Sequence, residues 1–155
     1  MTGDSGFEPF YEKEVGRVFS AVFLLCRNRA VAEDATQEAF ARALERWDRL
    51  SGVPWAGGWV TTTALNLVRR GLRRRLVGTI SSDPPPADET GALWGAVARL
   101  PRRQQEAVVL HYRMGIPAGE IAQVMGCQPG TVRMHLARAR AALREALKED
   151  ESHGP

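Results

Sequence analysis

Apolar residues recur at helical spacing through most of the chain, and nowhere do they alternate as in a half-buried strand. From Phe7 to about Cys26 the apolar positions include Phe10, Val15, Val18, Phe19, Val22, Phe23 and Leu25. Steps of three and four residues predict a helix with one buried face. Asn28 offers a break. A second helix is expected from Ala30 to about Trp47, with Ala35, Ala39, Leu44 and Trp47 on or near one face and Phe40 beside it. Its other face carries Glu33, Asp34, Gln37, Glu38, Arg42 and Glu45. Residues 48–58, DRLSGVPWAGG, are rich in Gly and Pro and predict a loop. A third helix follows from about Trp59 to Leu76, with Trp59, Val60, Ala64, Leu67, Val68 and Leu72 as its buried stripe.

The pattern stops at residues 81–91, SSDPPPADETG, where prolines and acids replace large apolar residues. Such a stretch predicts a linker, extended through Pro84, Pro85 and Pro86. Helical spacing resumes beyond it, at about 90–100, 102–114, 118–125 and 128–148. Pro101 marks one boundary, because proline suits a helix start and not a helix interior. Val108, Leu110 and Ile116 are placed to pack under the last two helices, and the acidic tail after Glu149 is expected to fray. The expected fold is therefore all-α: two small helical domains, residues 1–78 and 92–155, joined by a flexible linker at 79–91.

The densest signal lies in EIAQVMGCQPGTVRMHLARARAAL, from Glu120 to Leu143. Ile121 and Met125 lie one turn apart and face one core. Ala122 stands where two helices would cross closely, and Gly126 where a turn needs positive φ. Pro129 opens the next helix, and Val132 falls one buried turn into it. That helix then sets Arg133, Arg138, Arg140 and Arg144 near its surface. Turn chemistry, core spacing and charge agree on a helix-turn-helix, a unit that lays one helix in the DNA major groove.

Bulk charge adds little. The chain has 155 residues, a net charge of +3 and a pI of about 9.3, so a nucleic-acid surface must come from local clustering. One such cluster ends the third helix: Arg69, Arg70, Arg73, Arg74 and Arg75. The helix dipole favours one or two cations there; five repel one another unless an anion such as a phosphate backbone is present. No apolar run approaches the roughly 20 residues that span a bilayer, so no membrane insertion is expected. The first residues carry no signal-peptide pattern. Cys26 and Cys127 fit no metal or CxxC spacing and read as reduced thiols. His135 has no metal-spaced partner. No paired carboxylates beside a histidine, P-loop or nucleophile motif occurs, so neither an enzyme nor a cofactor is expected.

These motifs, in this order, resemble the extracytoplasmic-function class of bacterial RNA polymerase sigma factors over nearly the whole chain. AEDATQEAFARALERWDRL is similar to the class's AED-x-x-QE-x-F-x-x-A helix. GGWVTTTALNLVRRGLRRR is similar to its W-x-x-x-x-A-x-N helix with a trailing Arg pair. LPRRQQEAVVLHYRMGIPAGEIAQVMGCQPGTVRMHLARARAAL follows its LP…Q…G…EIA…GC-x-x-GTV…L-x-R-A-R signature.

The resemblance implies roles. The first domain would bind the promoter −10 element and the polymerase clamp; the second would bind the −35 element. Asp34, Gln37, Glu38 and Arg42 would face the clamp. The loop from Asp48 to Gly58 would hold a flipped-out base, with Trp55 either a pocket wall or a core residue. Asn66 would reach a base edge, and Arg69, Arg70, Arg73 and Arg74 would hold phosphates. Gln128, Thr131, Arg133, Met134, His135 and Arg138 would face the −35 major groove, an arginine there bridging guanine O6 and N7. Partners would be core RNA polymerase, promoter DNA and, as is common in the class, an anti-sigma factor; the location would be cytoplasmic. The chain departs from the class pattern at Arg70, where many members carry Asp, and at Gln128, where Ser is common and caps a helix better. The rival reading is a helix-turn-helix regulator that binds an operator without polymerase.

Overall fold

The computed structural model describes residues 6–74 and 92–152. The chain separates into two compact units, divided between Pro84 and Pro85. The 81–91 linker, Arg75 and the side chains of Leu72, Arg73 and Arg74 lie outside the described part.

In the N-terminal unit, α1 (Phe7–Cys26), α2 (Arg29–Glu45) and α4 (Ala56–Arg74) pack pairwise into a three-helix bundle, and the short α3 (Trp47–Leu50) leans on α2. α1 ends where expected, with Arg27 in the left-handed region at φ 54°. Asn28 then caps α2: its Oδ1 accepts from the Val31 N–H at 3.1 Å. The face of α2 turned to the core is made of small residues. Ala32, Ala39 and Ala43 are fully buried and Ala35 nearly so. Small side chains let the helix axes approach closely; Val18, Val22, Phe23, Val60, Ala64 and Val68 fill the rest of the core. One end is closed by rings: Phe10 lies 4.9 Å from Trp47 and 5.9 Å from Phe40, and Tyr11 meets Phe40 edge-on at 4.9 Å.

Three expectations need correction here. Leu44 is not in the core but 42% exposed, because the buried stripe runs through Ala39 and Ala43 and turns Leu44 outward. The 48–58 loop is shorter than expected. Trp47 and Leu50, one turn apart, are both buried and hold a helical turn, and α4 already begins at Ala56. On α4 the buried stripe includes Leu65 and Thr61, while Trp59 and Leu67 are only half-buried.

In the C-terminal unit, α5 (Ala92–Ala98), α6 (Arg102–Val108) and α7 (Ala118–Met125) all pack on α8 (Pro129–Ser152). Val97, Leu110, Ile121, Val132, Leu136 and Ala139 form the core. The helix expected over 102–114 changes character halfway. Val109–Arg113 is π-helical, with the Met114 N–H donating to the Val109 carbonyl at 3.0 Å. Four consecutive apolar residues, Ala107 to Leu110, are buried where α6 passes into this turn. A regular α-helix cannot turn four successive side chains to one side; a wider turn brings them closer to it. The last helix also runs further than expected, to Ser152 instead of fraying after Glu149.

Candidate nucleic-acid interface

The helix-turn-helix is braced from below. α7 stops at Gly126, which takes φ 67° and ψ 42°, the left-handed conformation that glycine adopts without strain. The carbonyl of Met125, at the end of α7, accepts from Arg103 at 2.9 Å. Arg103 is itself held by Glu106 at 2.9 Å, and Arg102 lies 3.5 Å from the other oxygen of the same carboxylate. Glu106 is 1% exposed, a buried charge met by two guanidiniums. It fixes the arginine that fixes the turn. His111 Nδ1 lies 2.9 Å from the Ile116 carbonyl and ties down the loop before α7. The arginine–glutamate brace is visible in sequence only as an i, i+3 and i, i+4 pattern; its grip on Met125 is not.

The brace sets the pose of α8. Val132, Leu136, Ala139 and Leu143 are buried, so the positions between them face outward. At about 100° per residue, Thr131, Met134 and His135 lie within roughly 60° of Arg138 and make one face with it. Gln128, Arg133 and Arg138 are exposed, Met134 is 40% exposed, and Thr131 and His135 are half-buried. Arg133 stands apart. It shares a row with Arg140 and Arg144, roughly 120–160° around the helix from Arg138. Arg140 donates to the Tyr112 hydroxyl at 2.7 Å, and Tyr112 is 52% exposed. Sequence reasoning missed Tyr112; its place on a π-turn beside the last helix is set by tertiary packing.

In the N-terminal unit the expected residues divide between two places. Asp34, Gln37 and Glu38 are exposed on α2, with Gln37 Nε2 donating to the Tyr11 hydroxyl at 3.1 Å. The exposed Leu44 belongs to the face of Gln37. Arg42 turns to the flank, paired with Glu38 at 3.2 Å, and lines a pocket of about 380 Å³ with Arg46, Trp59, Thr63, Asn66, Leu67 and Arg70. Trp59, Thr63, Asn66 and Arg70 follow at steps of four, three and four residues, one stripe of α4. Arg69 donates to Asn66 Oδ1 at 3.1 Å and orients the amide. Trp55 is half-buried and is not among the pocket's lining residues. Arg73 and Arg74 continue the helix one turn beyond the stripe.

Trp59 as a site residue, Arg46 and Thr63 were missed; the stripe spacing through Asn66 was the available signal. α4 is seated against α1. A Cβ on Gly57 would fall 2.9 Å from Oε2 of Glu14, which is 8% exposed and paired with Arg17 at 3.3 Å through its other oxygen. Among the described residues, no cluster of His, Cys, Asp or Glu could hold a metal ion, and no helix is long and apolar enough to cross a membrane.

The chain thus carries a braced helix-turn-helix with a basic outer face in one unit and a basic pocket with an aromatic wall in the other. The sigma-70 region 2 family matches residues 10–76, and the sigma-70 region 4 family matches residues 90–143. The chain belongs to the sigma-70 family of RNA polymerase sigma factors, in its extracytoplasmic-function class. It is 30% identical to the sigma factor CarQ of Myxococcus xanthus, over 94% of this chain and 91% of that protein. It is 32% identical to the sigma factor BldN of Streptomyces coelicolor, over 93% of this chain but 61% of that protein. Against the probable sigma factor RfaY of Xanthomonas campestris it spans only 37% of the relative's length. The sigma factor RpoE of Bartonella quintana, solved in complex with the anti-sigma factor NepR, shares the fold with a TM-score of 0.76 and 23% identity, over 92% of this chain and 96% of that one.

Proposed function

We propose that this protein directs core RNA polymerase to a set of promoters and takes part in opening them. The observation that carries the reading is the pairing of regions 2 and 4, in that order, on one chain. Residues 1–78 would act at the −10 element and the polymerase clamp, 92–155 at the −35 element, and 79–91 as the tether. Asp34, Gln37 and Glu38, joined by the exposed Leu44, would meet the clamp. Thr131, Met134, His135 and Arg138 would read base edges, with Gln128 and the start of α8 beside them. Arg133, on its separate row, would lie against the phosphates of the groove edge. Asn66 would read a base upstream of the melted region, while Arg69, Arg70, Arg73 and Arg74 would hold its backbone. The protein would work in the cytoplasm. A restraining anti-sigma factor fits the class, as the RpoE–NepR complex illustrates for a protein of the same fold.

The test is promoter-directed transcription by core polymerase with and without the chain, alongside footprinting of the chain alone. Each unit makes few phosphate contacts, so tight promoter binding is expected only when polymerase holds both units at once. A strong footprint from the chain alone, with polymerase adding nothing, would overturn this reading in favour of an operator-binding regulator.

A further inference from the structure

Tyr112 is exposed and yet held at both ends. It stands on the π-helical turn Val109–Arg113 with 52% of its surface in water. Its ring meets that of His111 edge-on, with centroids 4.7 Å apart. His111 is itself fixed, since its Nδ1 lies 2.9 Å from the Ile116 carbonyl. At the other end the Tyr112 hydroxyl accepts from Nη1 of Arg140 at 2.7 Å. A side chain so exposed adds little to the core, so these contacts serve the arginine more than the packing. Single π-turns within helices are frequent at functional sites. Here the wide turn that seats Ala107 to Leu110 in the core also sets Tyr112 against α8. Arg140 is exposed and, among the described residues, has no carboxylate partner. A carboxylate at position 112 would hold the guanidinium but cancel its charge. A phenol hydroxyl holds it and leaves the charge whole.

We infer that Tyr112 is a positioning residue for DNA binding: its hydroxyl pre-orders Arg140 so that the guanidinium presents its remaining N–H donors to a backbone phosphate at the edge of the −35 groove. The inference rests on the promoter reading above and deepens it, giving a part to a residue outside the helix-turn-helix. A free arginine side chain loses rotamer freedom when it grips a phosphate. Tyr112 moves that loss from binding to folding, so the contact forms with less left to order. A phosphate contact carries no base information, so the gain is the same on every −35 sequence. Choice among sequences stays with the face of Arg138, on the other side of α8.

The test uses holoenzyme formed from core polymerase and the full chain. The probe is a double-stranded promoter fragment selected from random-sequence DNA by the unaltered holoenzyme. Affinity is measured over a range of salt concentrations for wild type, Tyr112→Phe, Arg140→Ala and the double variant. Phenylalanine keeps the ring against His111 and removes only the hydroxyl. Tyr112→Phe should weaken binding roughly 2- to 10-fold, the cost of ordering one freed side chain, and equally on every −35 variant of the fragment. Its salt slope should match wild type, because Arg140 keeps its charge, whereas Arg140→Ala should lower the slope by about 0.9. In the Arg140→Ala background, Tyr112→Phe should change nothing, because no guanidinium is left to order.

Unchanged affinity in Tyr112→Phe overturns the proposal. So does a gain in affinity, which would mean that the hydroxyl holds Arg140 away from the DNA. Equal losses in the wild-type and Arg140→Ala backgrounds overturn it as well, because Tyr112 would then support the fold of the unit and not the arginine. Full affinity with an unchanged salt slope in Arg140→Ala removes the phosphate contact and the proposal with it. If the unaltered holoenzyme enriches no promoter fragment at all, the promoter reading itself fails first, and that result is separate from any comparison among the variants.

Discussion

The two units build their proposed DNA-facing surfaces in opposite ways. In the C-terminal unit every expected −35 residue comes from one helix or, for Gln128, the residue just before it, and the surrounding structure only sets that helix at an angle. In the N-terminal unit the pocket exists only where two helices meet. Arg42 and Arg46 come from α2, and Trp59, Asn66 and Arg70 from α4. The buried carboxylates repeat the contrast. Glu106 is satisfied by arginines three and four residues before it, a brace completed within one turn. Glu14 reaches from α1 to the start of α4, where Gly57 leaves room for it. A surface carried by one helix tolerates change elsewhere as long as the helix stays seated. A surface shared by two helices depends on their spacing, which here the small residues Ala32, Ala35, Ala39 and Ala43 keep short.

The first way to break this comparison has the largest expected effect. If the C-terminal surface depends on one helix being seated, its weak point is the brace beneath the turn. Glu106→Ala removes the buried carboxylate that holds Arg103 against the Met125 carbonyl. Breaking a fully buried pair costs about 3–5 kcal/mol, but both arginines here are about half exposed and can rehydrate. The expected cost is therefore about 2–3 kcal/mol, confined to melting of the C-terminal unit, with −35 binding lost in step. Thermal unfolding followed by circular dichroism on the full chain and on the variant measures it. Unchanged stability would mean that the turn is held by Gly126 and the core alone.

The second prediction divides the outer surface of α8. Arg138 lies with Thr131 and Met134, whereas Arg140 lies on the far row and bonds Tyr112. Arg138→Ala should cost about 1–3 kcal/mol at one −35 base pair and relax the preference there, if the side chain bridges guanine. Arg140→Ala should instead weaken all −35 variants alike and lower the salt slope by about 0.9, the share of one phosphate. Transcription from a panel of −35 variants at several salt concentrations separates the two outcomes. The same pattern from both variants would erase the distinction between a reading face and a flank.

How much of this was legible in the sequence follows the same division. The helix-turn-helix could be read residue by residue, because its determinants are local. Ile121 and Met125 are one turn apart, Gly126 ends the helix and Pro129 starts the next. The start and end of α1 and the break at Asn28 were equally local. The π-turn at Val109–Arg113 was not legible, because it answers a demand of the core for Ala107 to Leu110 together. Leu44 was misplaced because two apolar stripes fit the periodicity of α2, and only packing against α1 and α4 selects the alanines. The pocket was half legible. Asn66 and Arg70 could be named from α4, but nothing in the chain announces that Arg46 lies over Trp59.

The smallest expected effect tests which side of α2 each residue serves. Arg42 and Glu38 form an exposed i, i+4 pair, and such pairs are worth only about 0.3–0.5 kcal/mol. Arg42→Ala should therefore barely change the stability of the N-terminal unit. Around the helix, Arg42 stands roughly 140° from Gln37. A flat partner surface laid against Gln37, Asp34 and Leu44 would not need Arg42, whereas a strand in the pocket would lose a cation. Arg42→Ala should leave the affinity for core polymerase unchanged and weaken single-strand binding with a shallower salt slope. Gln37→Ala and Leu44→Ala should do the reverse. Competition for core polymerase against a labelled wild-type chain gives the first quantity, and anisotropy of a labelled single strand gives the second. If Arg42→Ala weakens the polymerase complex as much as Gln37→Ala does, the clamp-facing surface of α2 wraps around to the pocket. The two functions of the N-terminal unit would then share a residue instead of dividing the helix between them.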